Sequence, residues 1–341
     1  MVYRYRVATV FGASGFIGRH LVKRLAKTGC IIRCVSRQPS KAGFLRTNGA
    51  VGQIAPMGVD IRDDASVRDA IQGADLVINL TGILAPSGRF GFDAVHAEGA
   101  GRIARIAAEC GVQRLVHLSA LGAKAGSASK YAASKAEGER QVLAAFPGAT
   151  ILRPSIVFGP EDGFFNRFAR MSMMAPFLPL IGGGHTKFQP VYVGDVADAL
   201  MQAISTTESM GKTYELVGPG TYSFRELMEL VVRETQRKKR LVSLPWGLAK
   251  LMAFFMEILP GKPLTRDQVE LLKTDNVASG QLPGLAELGV NATAVELIVP
   301  TYLDAFRVGG RFATQRTSST TGDVNDAPRI EPANPGRGKY V

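Results

Sequence analysis

The 341-residue chain is poor in cysteine, histidine and tryptophan, with three, four and one respectively. Cys30, Cys34 and Cys110 cannot build a disulfide framework and do not stand at zinc-ligand spacing. A small secreted scaffold is therefore excluded, and a reducing compartment is expected. His20, His96, His117 and His185 are scattered, so each reads as structural and no metal is expected. No run of about 18 uncharged apolar residues occurs, which excludes a spanning helix. The sequence has no internal repeat and no basic patch interleaved with aromatics, so nucleic acid is not an expected partner. The N-terminus lacks a basic, apolar and small-residue cleavage pattern, because a strand pattern begins at Tyr5. The chain therefore reads as cytosolic-side, or as a mature organellar protein without its transit peptide. Acid is scarce as well. Against 41 Lys and Arg stand 29 Asp and Glu, a net charge of +12. That balance asks for an anionic membrane surface, a phosphate-rich ligand or an acidic protein.

What remains is ordinary globular material, 46% hydrophobic and 21% charged, long enough for about two domains of roughly 150 residues. Short apolar runs predict strands over Val7–Phe11, Ile31–Ser36, Leu76–Thr81, Leu115–Ser119 and Thr150–Arg153. Stretches with three-and-four spacing lie between them, as with Ile17, Leu21 and Leu25. Strand–helix repetition predicts an α/β fold: a Rossmann-type doubly wound parallel sheet with ligands at the carboxyl ends of the strands. The expected organisation is a nucleotide domain over 1–160 with returning segments near 188–218. A smaller interleaved C-terminal α/β domain follows over 161–187 and 219–308. The Ser/Thr/Gly/Asn/Pro-rich stretch 309–341 reads as a flexible or partner-bound tail. A strand-like piece is expected over Phe188–Val193, a helix over Asp195–Ile204 and a strand over Thr213–Val217.

Gly12, Gly15 and Gly18 stand between the first strand and the first helix, around Ser14, Phe16 and Ile17. Glycines so placed turn the chain tightly, let backbone approach a pyrophosphate and let the helix pack on the strand. The helix N-terminus then holds the phosphates. The second strand ends in Ser36-Arg37, where an NAD site usually has an acid for the ribose 2′-hydroxyl. Without that acid, Ser36 and Arg37 offer a 2′-phosphate pocket, to which Arg19, Lys41 and Arg46 add charge, and NADP(H) is the expected cofactor. Asp60 and Ile61 are candidates to bracket the adenine amino group, and Leu80, Thr81 and Gly82 to pass close to the cofactor.

Tyr131 and Lys135 are four residues apart, one helical turn on one face. A neighbouring cation turns a phenol into a usable acid or base. With the glycine turn, this pair resembles the extended or atypical branch of the short-chain dehydrogenase/reductases. Further segments narrow the resemblance: His117–Ala123, Arg153–Asp162, Gln189–Val196, Leu264–Val269 and Leu282–Gly289. Together they are similar to the alpha-subcomplex subunit nine family of respiratory complex I accessory subunits, over about residues 5–305. That resemblance implies tightly held NADPH and a non-catalytic role at the junction of the peripheral and membrane arms. It implies peripheral attachment on the cytoplasmic side of a bacterial inner membrane, or the matrix side of a mitochondrial one. Tyr131, Lys135, Ser119 and Pro154 then lie along the nicotinamide ribose. Active extended members carry Ser or Thr shortly after the fifth strand, where this chain has Leu121. The alternative is an NADP-dependent reductase or nucleotide-sugar epimerase/dehydratase-like enzyme. Asp195 is expected to tie the interleaved domains rather than to act as an acid.

Arg233, Arg237, Lys238, Lys239 and Arg240 precede the apolar stretch Leu241–Pro260, which contains the single Trp246. This stretch suits either a helix lying in an anionic interface or a buried helix of the second domain with a solvated basic flank.

Overall fold

The computed structural model describes residues 5–259 and 262–310. The sheet starts with β1 (Val7–Phe11), an apolar run buried from Ala8 onward, as befits a central strand covered on both faces. β2 (Ile31–Ser36) and β3 (Ile54–Gly58) lie on one side of it. β4 (Leu76–Asn79), β5 (Arg114–Leu118) and β6 (Thr150–Pro154) lie on the other. Four shorter strands follow: β7 (Val157–Phe158), β8 (Phe177–Ile181), β9 (Lys187–Phe188) and β10 (Val191–Tyr192). β11 (Thr213–Leu216) then returns beside β6, before β12 (Tyr222–Ser223) and β13 (Arg240–Leu244). The large sheet runs β11-β6-β5-β4-β1-β2-β3, all parallel, and its order reverses between β1 and β4. A crevice for a ligand opens at such a switch point, at the strands' carboxyl ends.

Helices cover both faces. On one face Leu21 and Leu25 of α1 (Phe16–Ala26) pack with Val10, Ile32 and the later Val196 and Leu200. On the other lie α2 (Asp64–Ile71), α3 (Gly99–Glu109) and α4 (Lys130–Ala145), which bury Ile71, Ile103 and Val142. A separate cluster gathers Phe165 of α5 (Phe165–Met174) with Leu178 and Phe224. α6 (Val193–Ser205) supplies Val196 and Leu200 to the sheet, and α7 (Phe224–Thr235) supplies Leu227 and Val231 to that separate cluster. α8 (Trp246–Met256) and α9 (Arg266–Leu271) form a small fourth group around Ala249, Ala253 and Val269.

Two details depart from expectation. β3 is a full member of the sheet although Ile54-Ala55-Pro56-Met57-Gly58 carries a proline and no β-branched run beyond Ile54. It is an edge strand, where a missing N–H is tolerated. The piece expected over Phe188–Val193 is split around Gln189-Pro190, and Val193 opens α6. The tail expected over 309–341 lies outside the described residues apart from its first two positions. At the far edge of the sheet, the Glu215 amide of β11 donates to the Pro283 carbonyl at 2.9 Å. Leu285 and Leu288 pack into the first cluster beside it.

Candidate functional site

β1 must hand over to α1 in four residues. Gly12 makes the turn at φ +79°, and a Cβ there would lie 2.9 Å from the Leu80 carbonyl oxygen. The Gly15 amide donates to the Gly12 carbonyl at 3.0 Å. A Cβ on Gly18 would fall on the carbonyl oxygens of Gly12 and Ala13, so only glycine lets α1 come this close. Gly15 caps α1 with no side-chain acceptor, and the first turn has no acid. The N–H groups around Phe16, Ile17 and Gly18 therefore end in a positive pole beside Ser14.

At the end of β2 the Ser36 hydroxyl is buried without a partner. Arg37 is exposed, with its guanidinium carbon 4.5 Å from the Phe90 ring centre. Asp60 sits past β3, but its carboxylate is engaged. Arg62 donates to it through Nε at 2.9 Å and through its amide at 3.0 Å, which holds the acid down at about 2. Ile61 is buried behind it. Arg19 turns to Glu161 and to the Ser14 carbonyl at 3.3 Å, with its guanidinium carbon 5.2 Å from the Phe44 ring centre. Lys41 and Arg46 are exposed on the stretch Pro39–Asn48.

The opposite end collects Leu80, Thr81 and Gly82 after β4, Ser119 after β5, and Pro154 at the end of β6. The Asn79 carboxamide organises them. Its oxygen accepts from the Thr81 amide at 3.0 Å, and its nitrogen donates to His117 Nδ1 at 3.1 Å. That donation leaves the proton of a neutral ring on His117 Nε2, which is buried with no partner among the described residues, as is the Ser119 hydroxyl. Lys135 donates to the Leu118 carbonyl at 3.3 Å, and a Cβ on Gly82 would come within 3.5 Å of its Nζ. Tyr131 lies one turn earlier on α4, edge-on to His96 at 5.3 Å and to Phe92 at 5.9 Å. His96 accepts from the Ile83 amide at 3.0 Å, and its Nδ1 lies 3.0 Å from the Ser134 hydroxyl.

Burial sets the proton balance here. It pushes Lys135 down to about 8, against the pull of Glu139. It also pushes the Tyr131 phenol up to about 12, with help from the Asp267 carboxylate. Asp267 accepts from the Ser129 hydroxyl at 3.0 Å, the Lys130 amide at 2.6 Å and the Tyr131 amide at 3.2 Å. A carboxylate from α9 thus caps the helix that carries the tyrosine, and it opposes phenolate formation. Leu121 is buried and brings no hydroxyl. Asp195 accepts from the amide and hydroxyl of Thr293 at 2.6 and 2.9 Å, a tie between distant segments.

Sequence reasoning missed His96, Phe90, Arg62 and Asp267. Only the last left a trace, since Thr265-x-x-Gln268 is a capping box that opens α9 around it.

The model of the NAD dependent epimerase/dehydratase family matches residues 8–217, from β1 through β11. The mitochondrial NADH dehydrogenase [ubiquinone] 1 alpha subcomplex subunit 9 of Arabidopsis thaliana is 38% identical over 316 residues, covering 89% of this chain and 79% of that one. A ceramide reductase of Caulobacter vibrioides is 32% identical over 241 residues, 70% of this chain and 74% of its own. Among solved structures, an NADPH-dependent quinone oxidoreductase of Escherichia coli superposes with a TM-score of 0.68 at 20% identity, over 87% of this chain and 99% of that one. With the glycine turn, the seven parallel strands and the Tyr–Lys helix all inside the matched region, the chain belongs to the NAD dependent epimerase/dehydratase family.

Proposed function

We propose that the chain is an NADP(H)-binding accessory subunit of respiratory complex I, an NADH:ubiquinone oxidoreductase, and holds its nucleotide without turning it over. One observation carries this reading. The family model stops at residue 217, whereas the Arabidopsis subunit aligns over 89% of the chain, so the likeness extends into the part built from α7, α8 and α9.

The residues fit a nicotinamide dinucleotide. The cradle around Gly12 and Gly18 is one that a Cβ would fill, and the buried hydroxyls of Ser36 and Ser119 have no partner among the described residues. Gly12, Ser14, Gly15, Phe16, Ile17 and Gly18 would hold the pyrophosphate. Ser36 and Arg37 would hold the 2′-phosphate, and Asp60 and Ile61 the adenine side. Leu80, Thr81 and Gly82 would line the middle, and Ser119, Tyr131, Lys135 and Pro154 the nicotinamide ribose. The bound nucleotide would supply a hydride. The chain's own groups do little to use it, because Leu121 offers no donor to a substrate oxygen. The partners would be subunits of the peripheral and membrane arms. α8 would rest on an anionic membrane surface, on the cytoplasmic side of a bacterial membrane or the matrix side of a mitochondrial one.

The test is extraction of a tagged chain in mild detergent. Stoichiometric recovery with NADH:ubiquinone oxidoreductase activity supports the reading, and a lone soluble chain sinks it. Tyr131→Phe should leave respiratory activity nearly intact, whereas Gly15→Val should weaken assembly. Equal losses would count against a structural nucleotide.

A second reading, a free NADP-dependent reductase or nucleotide-sugar epimerase/dehydratase-like enzyme, draws on the intact Tyr131–Lys135 spacing and the reductase relative. It requires a carbonyl-dependent loss of NADPH absorbance that Tyr131→Phe abolishes.

A further inference from the structure

The loop after β4 makes a tight turn at Gly88-Arg89. The Ser87 amide donates to the Phe90 carbonyl at 3.1 Å, and the Phe90 amide to the Ser87 carbonyl at 3.0 Å. The turn presents the Phe90 ring to the carboxyl ends of β2 and β3. There the guanidinium carbons of Arg37 and Arg62 lie 4.5 and 4.3 Å from the ring centre. One aromatic ring thus holds two cations from neighbouring strand ends, with their guanidinium carbons no more than about 9 Å apart.

The two arginines differ in their company. Arg62 grips Asp60 through Nε at 2.9 Å and Nη2 at 2.5 Å, while its Nη1 makes no hydrogen bond to the described residues. Arg37 has no carboxylate partner among the described residues, and the residue before it, Ser36, keeps a buried hydroxyl unspent. The cluster therefore has one uncompensated positive charge, planar donors on two sides and a spare hydroxyl. A dianionic phosphate on a sugar next to a flat base answers all three.

We propose that Arg62 is a second specificity residue of the nucleotide site: with Arg37 and Ser36 it grips the 2′-phosphate of a phosphorylated nicotinamide dinucleotide, and Phe90 spaces the two guanidiniums. The inference rests on the nucleotide reading above and deepens it. The Asp60 bridge has a part in it. It neutralises a carboxylate that would otherwise repel the phosphate, and it leaves the outer edge of the Arg62 guanidinium open.

The test is calorimetric titration of the purified full-length chain with NADPH and with NADH. Arg62→Gln, Arg62→Lys and Asp60→Asn are compared with the starting protein, each checked by its melting curve. Arg62→Gln should weaken NADPH about tenfold or more and leave NADH within about twofold, the loss expected for a charge-assisted bond to phosphate. Arg62→Lys should recover part of the loss. Asp60→Asn, which alters the adenine side common to both nucleotides, should keep the preference for NADPH over NADH whatever it does to each affinity. If Arg62 only braces the Asp60 loop, Arg62→Gln will weaken both nucleotides alike, as Asp60→Asn does, and the inference falls. Unchanged NADPH affinity in Arg62→Gln overturns it too. Should Arg62→Gln fail to fold, the preference for NADPH decides the matter: it should fall in Arg62→Lys and hold in Asp60→Asn, and an unchanged preference in Arg62→Lys overturns the inference. A starting protein that binds neither nucleotide overturns the nucleotide reading itself, an outcome distinct from the others.

Discussion

His96 and His117 are each 1% exposed, and burial, reinforced by the Lys135 charge, drives both below their ordinary range, to about 2 and about 3. In the unfolded chain they take a proton near 6.5. Stability from their neutral forms is thus complete above that value and is lost as pH falls through it. The linkage amounts to about 2 kcal/mol per histidine at about pH 5. Urea midpoints measured across that range should drop steeply, and His117→Asn should flatten the drop. A level profile in the unsubstituted chain would contradict the buried, neutral assignment. At this scale the sequence was informative where the chain acts on itself locally. Gly12, Gly15 and Gly18 sit in one turn, and Tyr131 and Lys135 on one helix. His96, Arg62 and Phe90 were silent because their partners come from other elements, and no local spacing records that.

Among the elements, α4 and α9 show how a distant carboxylate completes a helix. Ser129 caps α4 from within, and Asp267 adds three acceptor contacts at its positive end. Asp267→Ala should cost about 1–2 kcal/mol, by analogy with the loss of a helix cap. Chemical denaturation would measure it, and hydrogen exchange at the Lys130 and Tyr131 amides should rise in step. Exchange unchanged at those two amides would mean that the cap does not hold the helix in solution. The capping box at Thr265 was visible in the sequence, but its placement against α4 was not. β3 was missed for a different reason. Ile54–Gly58 looks like a loop by composition, and it is a strand because β2 offers it a ladder.

Across the whole molecule, α8 is the element least explained by its own packing. Ala249 and Ala253 are buried, but Leu251 and Phe255 are 54% and 60% exposed, and Leu248, Phe254, Ile258 and Leu259 are exposed beside them. The sequence put a buried helix slightly ahead of an interfacial one, whereas the exposed apolar side chains favour the second. No helix among the described residues is long and apolar enough to cross a membrane. The double change Leu251→Glu, Phe255→Glu should therefore remove binding to anionic vesicles in a flotation assay while leaving the melting temperature unchanged. Added salt should weaken binding of the unaltered chain, since the neighbouring basic residues are screened. The fold class was legible because parallel strands buried on both faces announce themselves as apolar runs. The partner face was not, since an exposed apolar helix and a core helix have the same composition.

The hydrogen bond from Glu215 to Pro283 bears on the order in which the chain is made. The nucleotide cradle leaves the ribosome first, and β11 joins the sheet much later. The segment that covers the outer side of β11 emerges later still. Until then the growing sheet shows a bare edge of unpaired donors and acceptors, a template for wrong pairing with other chains. A fragment ending at residue 217, the limit of the family match, should therefore aggregate in size-exclusion runs, whereas one ending at residue 310 should elute as a single species. The matched region thus does not complete its own sheet edge, because the cover of its last strand comes from Pro283, Leu285 and Leu288.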